Sequence, residues 1–402
     1  MGYDPAGMPI GTPFHPRVEA LCESRLWRDW AGFFAVSSYE VGHEREYNAI
    51  RNAAALIDIS PLFKYSLTGR DAVRLVDRVL TRDATRIAIG QVVYTSWCDG
   101  EGKVIDDGTV SRLADTRFRW TAAEPNLHWL RENALGLEVL VEDISETTAA
   151  VALQGPTSRD ILRACVEGDL AGLKYFRVGS YSLAGIPVDI SRTGYTGDLG
   201  YELWVDAGRA LDLWDALMAA GRPYDITPTG IYALDVARIE AGLIMLDVEY
   251  TSAKRAVIPS QRYTPFEIGL GKLVHLDKAP FIGQAALRAE ARRGPRRQIV
   301  GLDVDWTDVE RLHDAVGLPP GVSPVASRAA VPVYRDGVQV GRATSTTWSP
   351  SLKKLIALAQ VQSDCAGAGT ELQLELTVNH ERKQARVQVA TLPFFNPARK
   401  TA

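Results

Sequence analysis

Two acidic residues beside tight glycine turns are the most informative chemical feature of this sequence. Asp107 closes the run 102–107, just before Gly108, and Glu202 lies near the end of the run 191–203. A carboxylate can accept two parallel hydrogen bonds from adjacent N–H donors. Beside a reacting nitrogen it can also orient that atom, take up its proton or stabilise a cationic carbon. The two acids are therefore candidates for contact with a nitrogen-containing ligand.

Each of these acids also has an ordinary structural interpretation. An Asp106-Asp107-Gly108 run is typical of a solvated turn. Glu202 follows Tyr201 in an alternating strand pattern, which would point its side chain away from Tyr201 and toward either solvent or a ligand. The residue types alone leave both interpretations open.

Aromatic residues are candidates for contact with a substrate. Tyr94, Trp97 and Trp120 lie near the acidic motifs along the chain, with Trp129 beyond them. They could form part of the core, a cage for a methylated cation, or a stacking wall. The sequence does not choose among these.

Composition excludes several classes of protein. The 402 residues carry 45 Lys and Arg against 49 Asp and Glu, a net charge of −4, which does not favour a nucleic-acid partner. Apolar runs are too short to span a bilayer, and residues 1–5 lack the pattern of a signal peptide. Four scattered cysteines and six scattered histidines show no metal-ligand spacing, so we predict no metal and a reducing cytoplasm.

The elements that position the acids follow from hydrophobic periodicity. Residues 109–113 are predicted as a strand, with Asp106 and Asp107 in the turn before it. Residues 186–191 and 201–205 are predicted as paired strands around the turn 194–200. The spacing also predicts a helix over 44–56.

A change in pattern divides the chain. Residues 1–292 read as an α+β domain built from two subdomains. The charged Gly-Pro break within 289–297 is predicted as a linker, and residues 293–402 read as short strands forming a small all-β barrel or sandwich. Asp336-Gly337 is a strong hairpin signal within this second domain.

The motifs, in this order and spacing, resemble the aminomethyltransferase family, the T-proteins of the glycine cleavage system and their relatives. Those relatives include tetrahydrofolate-dependent demethylases and the folate domains of dimethylglycine and sarcosine dehydrogenases. The matching segments are 102–107, Leu153-Gln154-Gly155-Pro156, 192–202, 238–243, Thr264-Pro265-Phe266-Glu267, Phe281-Ile282-Gly283-Gln284, 349–354 and Leu392-Pro393-Phe394. The resemblance implies an α+β, T-protein-like fold with a central folate channel and a C-terminal β-barrel.

The resemblance also implies roles for single residues. It places Asp107 beside the reactive nitrogens of tetrahydrofolate, as the catalytic group, and makes Glu202 an acceptor for the pterin. Tyr195 either packs on the ring or shapes the turn. Arg399 is predicted to replace a contact to the folate tail, because the T-proteins hold that tail with an arginine where this chain has Leu234.

Further departures concern the one-carbon donor. T-proteins take an aminomethyl group from a lipoyl arm on a carrier protein, and after the helix ending near residue 242 they continue into a Gly-Asn-Asp-like turn. Here residues 244–251 stand in place of that turn, and an insertion, 252–262, precedes Thr264-Pro265. We therefore expect a small methylated donor rather than a carrier protein, although a carrier or a redox partner protein remains an alternative.

A non-catalytic folate-binding scaffold is the competing hypothesis from another class. The scaffold proteins of this superfamily carry a cysteine in a Lys-Gly-Cys-Tyr-x-Gly-Gln motif, and the matching segment 278–284 has none. Retention of Asp107 favours an enzyme: a tetrahydrofolate-dependent demethylase first, an aminomethyltransferase second.

Overall fold

The computed structural model describes Asp4 and residues 7–402. The prediction that residues 1–5 lack a signal-peptide pattern falls largely outside the described residues, since only Asp4 of them is described. Among the described residues, every helix is too short or too polar to cross a membrane. The chain divides into two compact units: residues up to Thr95, 106–237 and 397–402 form the first, and 96–105 and 238–396 form the second.

Helices and strands alternate through the first two thirds of the chain, and strands dominate the last third. The helices are α1 (His15–Leu21), α2 (Glu44–Asn52), α3 (Ala72–Val79), α4 (Leu127–Asn133), α5 (Ser158–Cys165), α6 (Ala210–Gly221), α7 (Ile231–Glu240), α8 (Gln284–Arg293) and α9 (Trp306–Asp314). The strands are β1 (Leu26–Trp30), β2 (Phe33–Ser38), β3 (Ala54–Asp58), β4 (Phe63–Thr68), β5 (Gln91–Cys98), β6 (Val104–Ala114), β7 (Arg117–Ala122), β8 (Leu140–Asp143), β9 (Thr148–Gln154), β10 (Val166–Glu167), β11 (Val178–Leu183), β12 (Ile186–Ser191), β13 (Gly200–Asp206), β14 (Ile226–Pro228), β15 (Arg297–Val304), β16 (Val331–Arg335), β17 (Val338–Ser349), β18 (Lys354–Gln362), β19 (Glu371–Val378) and β20 (Glu381–Ala390).

The first unit is built around a seven-stranded sheet with the order β10-β11-β12-β13-β9-β3-β14. Its adjacent inner strands β3 and β9 are apolar on both faces, so Leu56 and Val151 enter one core cluster while Ile57 and Ala152 enter the other. This double burial explains why β9 reads as a continuous apolar run rather than an alternating one. A second sheet, of order β5-β6-β7-β4-β8, carries the strand with the two candidate aspartates.

The second unit contains a closed barrel with the order β15-β18-β17-β16-β19-β20. Alternate residues of its strands fill the interior, for example Leu302, Ala357 and Leu374, which are completely buried. The predicted α+β fold with a C-terminal β-barrel is confirmed. The predicted domains, 1–292 and 293–402, stay a prediction, because the two compact units interleave along the chain.

Two predicted elements were wrong at their ends. The helix predicted over 44–56 ends at Asn52, and the next strand begins at Ala54. A short apolar run does not distinguish a buried strand from a buried helix, and this one is an inner strand of the large sheet. The predicted linker over 289–297 is instead helical to Arg293, and only Gly294, Pro295 and Arg296 separate α8 from β15.

The predicted turn at Asp106 and Asp107 was also wrong, because both residues lie inside β6. The reversal comes earlier, where Asp99 Oδ1 accepts from the backbone N–H groups of Glu101 and Lys103, at 2.9 Å each. Gly102 adopts a left-handed φ of 72° in that turn. With the turn closed there, strand pairing resumes at Val104 and includes the two acids despite their low strand propensity.

Candidate functional site

Asp107 lies on β6, is partly exposed, and accepts a hydrogen bond from a phenol. The hydroxyl of Tyr94 on β5 donates to Asp107 Oδ2 at 2.6 Å. Burial and the charge of Asp107 raise the pKa of Tyr94 well above its usual value, so this phenol stays a donor at physiological pH. A short bond of this kind fixes the direction of the carboxylate.

Asp106, the preceding residue, faces away and is completely buried. Its Oδ1 accepts from the N–H of Asp107 at 2.8 Å, and its Oδ2 accepts from Asn126 Nδ2 at 2.9 Å and from the N–H of Glu124 at 3.0 Å. Burial, followed by the charge of Asp107, raises the pKa of Asp106 well above its usual value. These bonds tie β6 to the segment after β7, so Asp106 is a support for the backbone that carries Asp107.

The glycine turn 194–200 closes around the side chain of Gln154. An added Cβ at Gly194 would lie 2.0 Å from Gln154 Oε1, and one at Gly200 would lie 2.2 Å from it. The amide nitrogen of Gln154 donates to the carbonyls of Thr193 and Tyr201, and Thr196 donates to its oxygen at 2.8 Å. The motif therefore needs glycine at both positions because a buried amide occupies the space between them.

Asp198 anchors the same turn to two arginines. Arg399 donates to its two oxygens at 2.6 and 2.8 Å, and Arg51 lies 3.5 Å from Oδ2. Arg399 also donates to the carbonyl of Arg51 at 3.1 Å. This ion pair gives Arg399 a structural role, and its contact with a folate tail stays a prediction.

Glu202 lies on β13, opposite Ser191 of β12. Thr193 donates to Glu202 Oε2 at 2.7 Å, and Ser191 and Thr193 share a hydrogen bond of 2.8 Å. Burial raises the pKa of Glu202, while Thr193 and the nearby charge of Arg119 limit that rise. The carboxylate is thus oriented by hydroxyl groups and faces a cation.

The phenols connect the two acidic motifs. The charge of Tyr195, from the glycine turn, contributes to the raised pKa of Tyr94, which in turn donates to Asp107. Tyr195 itself is partly buried and packs against the core cluster on one face of the large sheet. The structure therefore brings Asp107, Tyr94 and Tyr195 together in the first unit.

The predicted tryptophans lie in the interior. Trp120 is completely buried on β7, and Trp97 is completely buried in the second unit. A ring with no exposed surface contacts a substrate only after a rearrangement, whereas Tyr94 is partly exposed. Substrate contact by Trp97 and Trp120 stays a prediction.

Two residues near the acids were missed from the sequence. Arg119 is buried on β7 and forms an ion pair with Asp189 at 2.8 Å. Its positive charge also acts on Glu202 and lowers the pKa of that carboxyl. Asn126 supports Asp106. The available signal was a charged residue between Phe118 and Trp120, at a position where the strand pattern predicts core, because arginine is rarely buried unless it is paired.

The arrangement supports two chemical tasks. Asp107 can orient a reacting nitrogen and accept its proton, and Glu202 can accept from adjacent N–H groups of a planar ring. Within residue 4 and residues 7–402, no group of three or more His, Cys, Asp or Glu side chains could hold a metal ion.

Comparison with known proteins covers most of the chain. The family model described as the GCVT N-terminal domain matches residues 20–278, and the glycine cleavage T-protein C-terminal barrel domain matches 314–396. A crystal structure of the glycine cleavage system aminomethyltransferase T from Bartonella henselae is similar, with a TM-score of 0.81, 26% identity, and coverage of 96% of this chain and 98% of that one.

Two curated relatives are equally similar in sequence. An aminomethyltransferase of Moorella thermoacetica is 34% identical over 88% of this chain and 90% of its own length. A trimethylamine-oxide aldolase of Ruegeria pomeroyi is 34% identical over 95% of this chain, which spans only 46% of that protein.

Proposed function

The chain belongs to the aminomethyltransferase family of glycine cleavage T-proteins, and from this we propose that it is a tetrahydrofolate-dependent one-carbon transferase acting on a small methylated donor. The observation that carries the proposal is the pairing of Asp107 with Tyr94 in the same unit as Glu202. Family aminomethyltransferases use tetrahydrofolate, and the carboxylate acceptors Asp107 and Glu202 fit it. We place the enzyme in the cytoplasm, without a membrane or nucleic-acid partner.

The fit to tetrahydrofolate rests on the acceptor set of the first unit. Glu202 is oriented by Thr193 through Oε2, which leaves a partly exposed carboxylate for a ring edge with two N–H donors. When bound, tetrahydrofolate would supply N5 as the atom that receives the one-carbon unit. Tyr195 belongs to the same glycine motif as Glu202, and its charge contributes to the raised pKa of Tyr94, the partner of Asp107.

Asp107 would act on the proton of the acceptor nitrogen. Tetrahydrofolate would supply the N5 lone pair for the new bond to carbon, and the donor's N, O or S atom would keep the electron pair of the bond that breaks. Asp107 would accept the proton that N5 gives up, so this transfer would need no oxidant. A donor whose carbon arrives at the methylene level would give methylene-tetrahydrofolate instead.

The insertion at 252–262 supports a small donor over a carrier protein. Its Arg262 forms ion pairs with Asp99 and Glu101, at 2.5 Å each, so the insertion is tied to the β5–β6 turn of the second unit. The name of the Ruegeria pomeroyi relative refers to a small N-oxide, which supports a small methylated amine or amine oxide as donor.

A donor screen tests this proposal. Purified protein is incubated with tetrahydrofolate and single N-, O- or S-methylated compounds carrying a ¹³C-methyl label, and methyl- and methylene-tetrahydrofolate are followed by mass spectrometry. We expect label transfer from at least one small donor. Label transfer only from an aminomethylated lipoyl carrier protein would reverse the assignment, and binding without any turnover would favour the scaffold hypothesis.

Tyr94→Phe tests the role of the phenol. Removing its hydroxyl deletes the hydrogen bond from Tyr94 to Asp107, and a hydrogen bond to a charged group is worth about 1.5–3 kcal/mol. We expect a roughly tenfold lower kcat, with a smaller change in the Kd for tetrahydrofolate. Single-turnover kinetics separates the two quantities. An unchanged kcat with weakened binding would instead make Tyr94 a binding residue only.

A further inference from the structure

We propose that Arg119 is a specificity-determining residue that donates a hydrogen bond to the ring carbonyl of the pterin beside Glu202. The inference rests on the proposed function, since it assumes that tetrahydrofolate occupies the Glu202 site. The proposal gives a ligand contact to Arg119, a buried cation that has no role in the chemistry proposed for Asp107.

Strand register places Arg119 on the Asp107 side of its sheet. Ser111 of β6 lies opposite Arg119 of β7, and Thr109 shares a hydrogen bond of 2.5 Å with Thr121. Side chains at alternate positions of a strand share a face, so Asp107, Ser111 and Arg119 lie on one face. The side chain of Arg119 therefore leaves its strand on the same face of the sheet as Asp107.

The far end of Arg119 reaches the strands that carry Glu202. Its Nη1 donates to Asp189 Oδ2 of β12 at 2.8 Å, and its Cζ lies 4.6 Å from the ring centroid of Trp204 on β13. Trp204 and Glu202 are two residues apart on the same strand and so share a face. Arg119 thus extends from the sheet that carries Asp107 to the face of the large sheet that carries Glu202. All of these residues lie within the first unit.

One nitrogen of this guanidinium has no acceptor among the described residues. Arg119 is only 5% exposed, and its Nη2 is buried without a hydrogen-bond partner. Buried donors are almost always paired, because leaving one unpaired forfeits its hydration. Burial also lowers the pKa of Arg119, whereas Asp189 and Glu202 raise it. A buried cation with one unpaired donor indicates that an acceptor is to be supplied.

The edge of a pterin ring matches this pair of side chains. It presents an amino N–H and a ring N–H side by side, followed by a carbonyl oxygen. Glu202 accepts from the two N–H groups, and a donor beside it is needed for the carbonyl. A guanidinium supplies a planar, directional donor for such an edge. Because Nη2 is covered, the contact requires a small side-chain displacement of the kind common at binding sites.

A ligand pair reports this contact directly. The probes are tetrahydrofolate and its 4-amino analogue, which has an amino group in place of the ring carbonyl and lacks the adjacent N–H. Calorimetry measures both Kd values for the full chain, for Arg119→Met, and for Arg117→Met as a matched control on the same strand, where Arg117 is exposed.

The expected result is a loss of discrimination confined to Arg119. The native protein prefers tetrahydrofolate, and Arg119→Met lowers that preference roughly ten- to hundredfold by weakening tetrahydrofolate more than the analogue. Arg117→Met leaves the ratio unchanged. Equal weakening of both ligands by Arg119→Met would give Arg119 a structural role only and overturn the proposal.

Two further measurements keep the test decisive. If Arg119→Met fails to fold, Arg119→Lys retains the charge but loses the planar fork, and is expected to lose discrimination as well; full discrimination in the lysine variant would overturn the contact. Asp189→Asn removes the structural ion pair but keeps the donor, so its ratio is expected to stay near the native one. If the native protein binds neither ligand, the proposed function fails. If it prefers tetrahydrofolate and Arg119→Met keeps that preference, only the Arg119 contact fails.

Discussion

Asp107→Asn is expected to lower turnover by a factor of roughly 100 to 10,000 while tetrahydrofolate still binds. The amide keeps the shape of the carboxylate and can accept from Tyr94, but it cannot take up a proton or stabilise positive charge at the reacting carbon. The effect should therefore appear in kcat rather than in the Kd for folate. Rapid mixing with the best donor, together with calorimetry, measures both.

Asp115→Asn is the matched control for this change. Asp115 follows the same strand, β6, and its side chain is 84% exposed, 3.7 Å from Arg112. The same chemical substitution there is expected to leave kcat within about twofold, since exposed ion pairs contribute little. Native turnover in Asp107→Asn would remove Asp107 from the chemistry and return it to a positioning role.

Glu202→Gln is expected to weaken tetrahydrofolate binding roughly 30- to 150-fold, equivalent to about 2–3 kcal/mol. The neutral amide loses the charge that strengthens two parallel hydrogen bonds, and it presents a donor to one of the ring's N–H groups. Calorimetry measures the affinity, and Glu167→Gln, at an exposed position of the same sheet, is the control. Equal affinities for the native protein and the Glu202 variant would exclude the pterin contact.

The same variant should change how binding depends on pH. Burial raises the pKa of Glu202 above that of an exposed glutamate, so its charged form is lost as the pH falls through that raised value. Folate affinity of the native protein should decline over that acidic range. The Gln variant lacks this titration, whereas Asp106, whose pKa burial also raises, is present in both proteins. The part of the pH-dependent loss of folate affinity that is absent in the Gln variant therefore measures the titration of Glu202.

The sequence predicted the fold because its signals were local or shared with a family. The C-terminal barrel follows from short alternating strands and the Asp336-Gly337 hairpin, where both residues adopt positive φ, 50° and 75°. The paired strands around the glycine turn were predicted within one residue of their observed ends. Family, fold and the strand position of Glu202 were therefore accessible without coordinates.

The surroundings of the acids could not be predicted because they depend on contacts distant in sequence. Asp106 is buried by Asn126, 20 residues away, and Arg119 meets Asp189, 70 residues away. A turn is the usual environment of an Asp-Asp-Gly run, so local reasoning placed Asp107 in a loop. Only the tertiary hydrogen bonds offset the cost of placing two acids inside a strand.

The predicted role of Arg399 illustrates the same limit. A basic residue near a changed binding motif invites the inference that it holds an anionic ligand. In the structure its Nε and Nη2 both donate to Asp198, a residue of the motif itself, and Nη2 also donates to the carbonyl of Arg51. Charge alone did not predict this internal ion pair, and the contact of Arg399 with the folate tail stays a prediction.

The turn packed around Gln154 has a consequence for the thermodynamics of ligand capture. Residues 194–200 are held by the buried amide of Gln154 and by the pairing of Asp198 with two arginines. If a ring docks against Tyr195 as predicted, this segment would therefore lose little conformational freedom. Loops that order on binding reduce the affinity by the entropy of that ordering, whereas a segment already fixed does not. Ligand binding against the turn 194–200 should therefore show a small entropic penalty and fast association. Selection among ligands should depend on how well their hydrogen-bonding groups match those of the site.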